Sequence, residues 1–146
     1  MRLLIQRVSE ASVRVEKKVV GQISSGFLIF FGTAVSDQLE YTKVLAKKVI
    51  ALRVFADSEG KMNRSIQEVH GELLVVSQFT LYADLWSGNR PSFIQAMEKE
   101  KALEMYEAFL KELRSFGIKV ETGIFGAKME VSLVNDGPIT FLLENK

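Results

Sequence analysis

Residues 1–32, MRLLIQRVSEASVRVEKKVVGQISSGFLIFFG, decide the fold class. Ala11, Val13 and Val15 fall on one face and Ser12, Arg14 and Glu16 on the other, the period-2 alternation of a half-buried antiparallel strand. Glu16-Lys17-Lys18 reads as a hairpin turn into Val19–Ile23, and Ser24-Ser25-Gly26 as a second turn. Phe27-Leu28-Ile29-Phe30-Phe31 follows, apolar on both faces, which predicts a central strand. Parallel neighbours need crossover connections, and no helix interrupts this run, so a doubly wound parallel sheet is disfavoured.

The period changes after Val35. Ser36 or Asp37 can cap a helix, with Glu40 three residues beyond Asp37 as in a capping box. Leu39, Val44, Leu45, Val49 and Leu52 mark its apolar stripe. Arg53–Ala56 reads as a strand, Asp57–Gly60 as a turn, Leu73–Gln78 as an apolar run, and the polar, glycine-containing segment Asp84–Pro91 as an exposed loop. Ala102, Tyr106, Phe109, Leu110 and Leu113 form a second helical stripe between about Glu98 and Phe116. Early acids and late bases suit its dipole, and Gly117 suits its C-terminal cap. Strands are expected at Ile118–Thr122, Met129–Val134 and Ile139–Leu143. The sum is an α+β fold: one compact domain over 1–146, with a largely antiparallel or mixed, barrel-like sheet and two main helices.

Composition narrows the chemistry. With 47% apolar and 25% charged residues, the chain is that of an ordered globular protein rather than a disordered one. A net charge of +1 excludes a strongly basic nucleic-acid tail, though not a local patch. The absence of cysteine removes disulfides, zinc thiolates and thiol catalysis. A single histidine, His70, excludes a multi-histidine metal site, and its setting in Val69-His70-Gly71 reads as a surface turn before a strand rather than as a catalytic base. No phosphate loop, GxGxxG, HExxH or GxSxG motif is present, so neither a metal nor an organic cofactor is expected. No stretch reaches the roughly 18 apolar residues of a membrane span, and the start lacks the apolar core of a signal peptide. A cytoplasmic location without a membrane partner is therefore expected.

Two polar segments interrupt apolar strands. Ser77-Gln78-Phe79-Thr80 directly follows Leu73–Val76, and a strand end of this kind can offer backbone N–H groups, an amide and a hydroxyl to an oxyanion. It can equally be a mere strand terminus. Asn135-Asp136-Gly137-Pro138-Ile139-Thr140 has the composition of a tight turn. The alternative is a cis Gly137-Pro138 bond whose carbonyl oxygens could accept from an ammonium group.

Taken together, SQFTLYAD at 77–84 and NDGPIT at 135–140 resemble the two signature motifs of D-aminoacyl-tRNA deacylases, also called D-tyrosyl-tRNA deacylases. The start MRLLIQRVSEASVRV, GKMNRS at 60–65, GNRPSF at 88–93 and TGIFGAKMEVSLVNDGP at 122–138 resemble further family stretches, so the likeness spans essentially the whole chain. Ile139 stands where valine is usual, Lys128 where an acid is expected, and Leu85-Trp86-Ser87 in a loop that is commonly more basic.

The resemblance implies hydrolysis of the ester joining a D-amino acid to the 3′ end of tRNA, with glycyl-tRNA also passing a filter that excludes L side chains. It implies a homodimer in which each site is completed across the interface, with aminoacyl-tRNA rather than DNA as the partner. Gly137 and Pro138 would be joined in cis and meet the substrate α-ammonium. Ser77, Gln78, Phe79 and Thr80 would line the facing wall, with oxyanion donors among the N–H groups near Gln78 and Phe79. Phe125 and Met129 would flank the terminal adenosine, and Arg7 would brace the Gly-Pro turn. Thr80 is the one candidate nucleophile, but no neighbouring base is evident, so a positioning role is preferred. Two rivals are an editing domain that removes mischarged L-amino acids and a non-catalytic RNA-binding module. The first is disfavoured by the paired motifs. The second would rest on the Lys43, Lys47 and Lys48 helix face, which a solvated helix explains equally well.

Overall fold

The computed structural model describes residues 1–145. Its organising element is β1 (Arg2–Val15), long enough to serve three partners. Along one edge β1 pairs antiparallel with β3 (Gly26–Gly32) through Arg2–Val8 and with β2 (Lys18–Ile23) through Ala11–Val15. Along its other edge it pairs antiparallel with the C-terminal strand β8 (Glu130–Glu144). Glu16 and Lys17, both at positive φ, make the tight β1–β2 turn.

α1 (Glu40–Ala51) and the small hairpin β4 (Arg53–Ala56)–β5 (Met62–Ser65) follow β3. They carry the chain back to β6 (Glu72–Ser77), which lies parallel to β3. α2 (Lys99–Arg114) precedes β7 (Val120–Thr122), which lies parallel to β6. The sheet is therefore mixed, as the sequence predicts, and Arg53–Ala56 is a strand outside it.

Strand alternation divides the core in two. Leu3, Ile5, Phe27, Ile29, Phe31, Leu73 and Val75 face Leu45 and Val49 of α1 and Phe109 and Leu113 of α2. Val8, Val13, Ile23, Leu28, Leu74 and Val76 face inward, with Met129 and Val131 packed against them, so the sheet curls into a nearly closed barrel. This is why β3 is apolar on both faces. Between the layers the Tyr106 hydroxyl donates to the Val75 carbonyl at 2.8 Å, and burial pushes the phenol well above its ordinary pKa.

Three expectations are corrected. No side chain caps α1, because the Asp37 carboxylate instead accepts from the Met1 ammonium and from the Ala34 N–H. The α1 stripe runs through Thr42, Leu45, Ala46, Val49 and Ile50, while Val44 and Leu39 face solvent. Finally, Asn135–Thr140 is not a turn between two strands. β8 continues through it as a bulge, held on both sides by pairing with β1.

Candidate active site

β3 and β6 end together, with Phe31 and Ser77 in register. The Gln78 N–H closes this end by donating to the Phe31 carbonyl at 2.7 Å. The chain then folds into a single 3-10 turn, Phe79–Tyr82. The first N–H groups of such a turn have no partner within it. Among the described residues nothing accepts from Phe79 N–H or Thr80 N–H. Of the N–H groups expected as donors near Gln78 and Phe79, that of Gln78 is engaged by the sheet, while those of Phe79 and Thr80 are free. The Gln78 side-chain amide donates to the Thr80 hydroxyl oxygen, fixing both groups at the rim.

This rim borders a cavity of about 520 Å³ at the open end of the barrel. Ser77, Gln78 and Phe79 form one wall, and Phe125 and Met129 contribute to the other. Thus five of the residues read from the sequence meet in one place. Phe31, Val76 and Val131 supply apolar surface deeper in, and Tyr106 backs Phe125 with ring centroids 5.6 Å apart. Thr80 is exposed beside the cavity rather than part of its lining. His70 is exposed in a turn and does not line it.

Among the described residues Lys99 is the one ionisable side chain in the lining. It was not legible in the sequence, where it is one of many lysines opening or decorating a helix. Its place becomes visible only when the first turn of α2 is seen beside Gly126. Among the described residues aspartate, glutamate and histidine are absent from the lining, which leaves Lys99 as its one group able to transfer a proton. Among the described residues no three such side chains gather as a metal site.

Gly137, Pro138 and Arg7 lie elsewhere. Arg7 is in register with Phe27, four residues along β3 from Phe31, or roughly 13 Å at about 3.3 Å per residue. There β8 advances from Asn135 to Thr140 while β1 advances only from Gln6 to Val8, so residues 136–139 bulge from the sheet. The Asn135 amide closes the base of the bulge, donating to the Arg7 carbonyl at 2.9 Å and the Ile139 carbonyl at 3.0 Å. Arg7 Nη1 donates to the Val54 carbonyl at 2.6 Å. Arg7 Nε lies 2.9 Å from Asp136 Oδ2, an ion pair whose N–H is not aimed along the contact. The Gly137-Pro138 peptide is cis, and Asp136, Gly137 and Pro138 face solvent.

Phe79 and Thr80 thus leave free backbone N–H groups at the rim of a largely apolar cleft whose lining includes the Lys99 amine, an arrangement able to hold an acyl group and to hydrogen-bond a developing oxyanion. The family is specific: the chain belongs to the D-Tyr-tRNA(Tyr) deacylase family, whose model matches residues 4–144. A D-aminoacyl-tRNA deacylase of Exiguobacterium sibiricum is 56% identical over 144 residues, covering 99% of each chain. One from Dictyoglomus turgidum is 53% identical over 146 residues, covering 100% of this chain and 94% of the relative. Among solved structures, the c-Myc DNA unwinding element binding protein superposes with a TM-score of 0.93 at 37% identity, covering 100% of this chain and 99% of the other. A probable eukaryotic D-amino acid tRNA deacylase, 17% identical with a TM-score of 0.82 over 97% of each chain, shares the fold.

Proposed function

We propose that this protein hydrolyses D-aminoacyl-tRNA, releasing free D-amino acid and tRNA, as a chiral proofreading step of translation in the cytoplasm. The observation that carries the reading is the 77–80 rim, with the Phe79 and Thr80 N–H groups free at an apolar cleft in a chain of this family. Water adds to the ester carbonyl, the carbonyl oxygen takes the negative charge, and the bond to the ribose oxygen breaks, that oxygen leaving as a hydroxyl. An aminoacyl ester is already activated, so positioning and charge stabilisation suffice. The Phe79 and Thr80 N–H groups receive the oxyanion. The Gln78–Thr80 pair orients the attacking water or the terminal 2′-hydroxyl that assists it. Phe125 and Met129 hold the terminal adenosine, and Ser77 lines the wall beside them.

In this reading the chiral filter is the 136–139 bulge of a second copy. The bulge lies too far along β1 to reach its own cleft, yet it projects outward on a side chain–to–backbone frame of Arg7 and Asn135. β8 also leaves a long outer edge with Val134, Phe141 and Leu142 exposed, a surface suited to burial against another copy. The Gly137 and Pro138 carbonyls would accept from the α-ammonium and leave space for hydrogen but not for an L side chain. Glycine, with no side chain, would pass. Net charge +1 supports neither DNA nor membrane as a partner.

Thr80→Ala separates positioning from nucleophilic attack. Loss of one hydrogen bond of roughly 0.5–1.5 kcal/mol should lower turnover by no more than about tenfold, with no acyl-enzyme accumulating in rapid-quench experiments. An ester trapped on Thr80, or a variant with no measurable turnover, would overturn the positioning role. The activity itself is tested by hydrolysis of matched D- and L-aminoacyl-tRNA.

A further inference from the structure

The loop that follows the rim holds large apolar side chains in water. Trp86 is 99% exposed, Ile94 86% and Leu85 66%. The loop is nonetheless ordered by its own bonds. Asp84 and Ser92 exchange backbone hydrogen bonds of 2.8 and 3.0 Å across its base. The Asp84 carboxylate accepts from the Ser87 hydroxyl at 2.6 Å and from the Trp86 N–H at 2.9 Å, and these bonds hold it below the usual carboxylate range. The indole is therefore presented outward from a braced turn rather than left on a loose tether. The root of the loop is continuous with the cleft: Phe93 meets Phe79 edge to face with centroids 4.9 Å apart, and Phe79 lines the cavity.

Resting on the aminoacyl-tRNA reading of the cleft, we propose that Trp86 is a stacking platform for an unpaired base of the tRNA 3′ end as that strand enters the site. A substrate whose acyl group occupies the cavity brings its single-stranded end to the cavity mouth, which is bordered by Phe79 at the root of this loop. Every base offers a π face to such a ring, independent of sequence. With a net charge of +1 the chain as a whole exerts little long-range pull on a polyanion, and a non-ionic anchor on a loop rooted at the cleft adds affinity without charge. The braced turn lowers the ordering cost of binding.

Trp86 is the chain's only tryptophan, so its emission reports on this ring alone. Titration with deacylated tRNA should quench that emission, saturating together with binding measured by filter retention. The same tRNA trimmed of its unpaired 3′ nucleotides should quench little. Trp86→Ala should weaken tRNA binding about tenfold or more, Trp86→Phe should recover part of the loss, and the salt dependence should be unchanged in both. Saturating tRNA that leaves the emission untouched, equal quenching by trimmed tRNA, or undiminished affinity of Trp86→Ala would overturn the proposal. So would emission that shifts with protein concentration in the absence of tRNA, which would place a second copy over the ring. Deacylation by the parent protein is measured alongside. A parent that hydrolyses D-aminoacyl-tRNA while Trp86 stays silent defeats this inference alone, whereas a parent without activity defeats the reading beneath it.

Discussion

Gly137→Ala should yield a folded protein whose D-aminoacyl-tRNA turnover has fallen about a hundredfold or more, the cost expected when a positioning group moves by roughly 1 Å. Gly137 sits at φ +121°, a conformation that residues with a side chain rarely adopt. A Cβ there would lie 2.8 Å from Ile139 Cγ1, 3.1 Å from the Ile139 nitrogen and 3.3 Å from Arg7 Nη2. The bulge must shift, taking the flanking carbonyl oxygens with it. The β1–β8 ladder on either side need not, so the fold should survive. If the bulge serves a neighbouring copy, mixed dimers with a Gln78→Ala chain should regain one intact site per dimer. A Gly137→Ala protein with parental D-turnover would remove the bulge from the mechanism, and failure of mixing would contradict its action across copies.

Gly26→Ala should be the most damaging small change to stability. Gly26 is buried opposite Glu72 where the parallel strands β3 and β6 begin. A Cβ at this position would fall 1.8 Å from the Glu72 carbonyl oxygen and 2.7 Å from its nitrogen. Backbone held in a ladder cannot rotate away as a side chain could. The destabilisation should exceed about 4 kcal/mol, at the exceptional end for single substitutions. Thermal melting should fall by about 10 °C or more, or no folded protein should be recovered. A variant that melts with the parent would mean that β3 and β6 do not approach as described.

Gly26 also shows what could be read from the chain alone and what could not. As part of Ser24-Ser25-Gly26 it marks a turn, and the chain does bend at Ser24-Ser25, with Gly26 itself opening β3. Its steric necessity comes from a strand 46 residues later, and no local pattern carries that. The strands of residues 1–32 and both helices were legible because their apolar periods are local. Val44 was misread because its spacing fits a helical stripe, while the sheet meets only the Leu45–Val49 side. Asp37 was misread as a cap because its better partner, the Met1 ammonium, is 36 residues away.

The site shows the same division. Ser77, Gln78 and Phe79 end a strand whose apolar run is plain in the sequence, and resemblance joined Phe125 and Met129 to them. The engagement of the Gln78 N–H by Phe31 and the presence of Lys99 in the lining needed the fold. Asn135–Pro138 has turn composition, yet its course is set by β1, whose Arg7 carbonyl holds the Asn135 amide across 128 residues.

The most direct test is a side-by-side time course of the purified protein on one tRNA charged with the D- and the L-form of the same amino acid. The account predicts rapid release of the D-amino acid, with the L-ester decaying no faster than in buffer. Comparable loss of both esters, or faster loss of the L-ester, would contradict it.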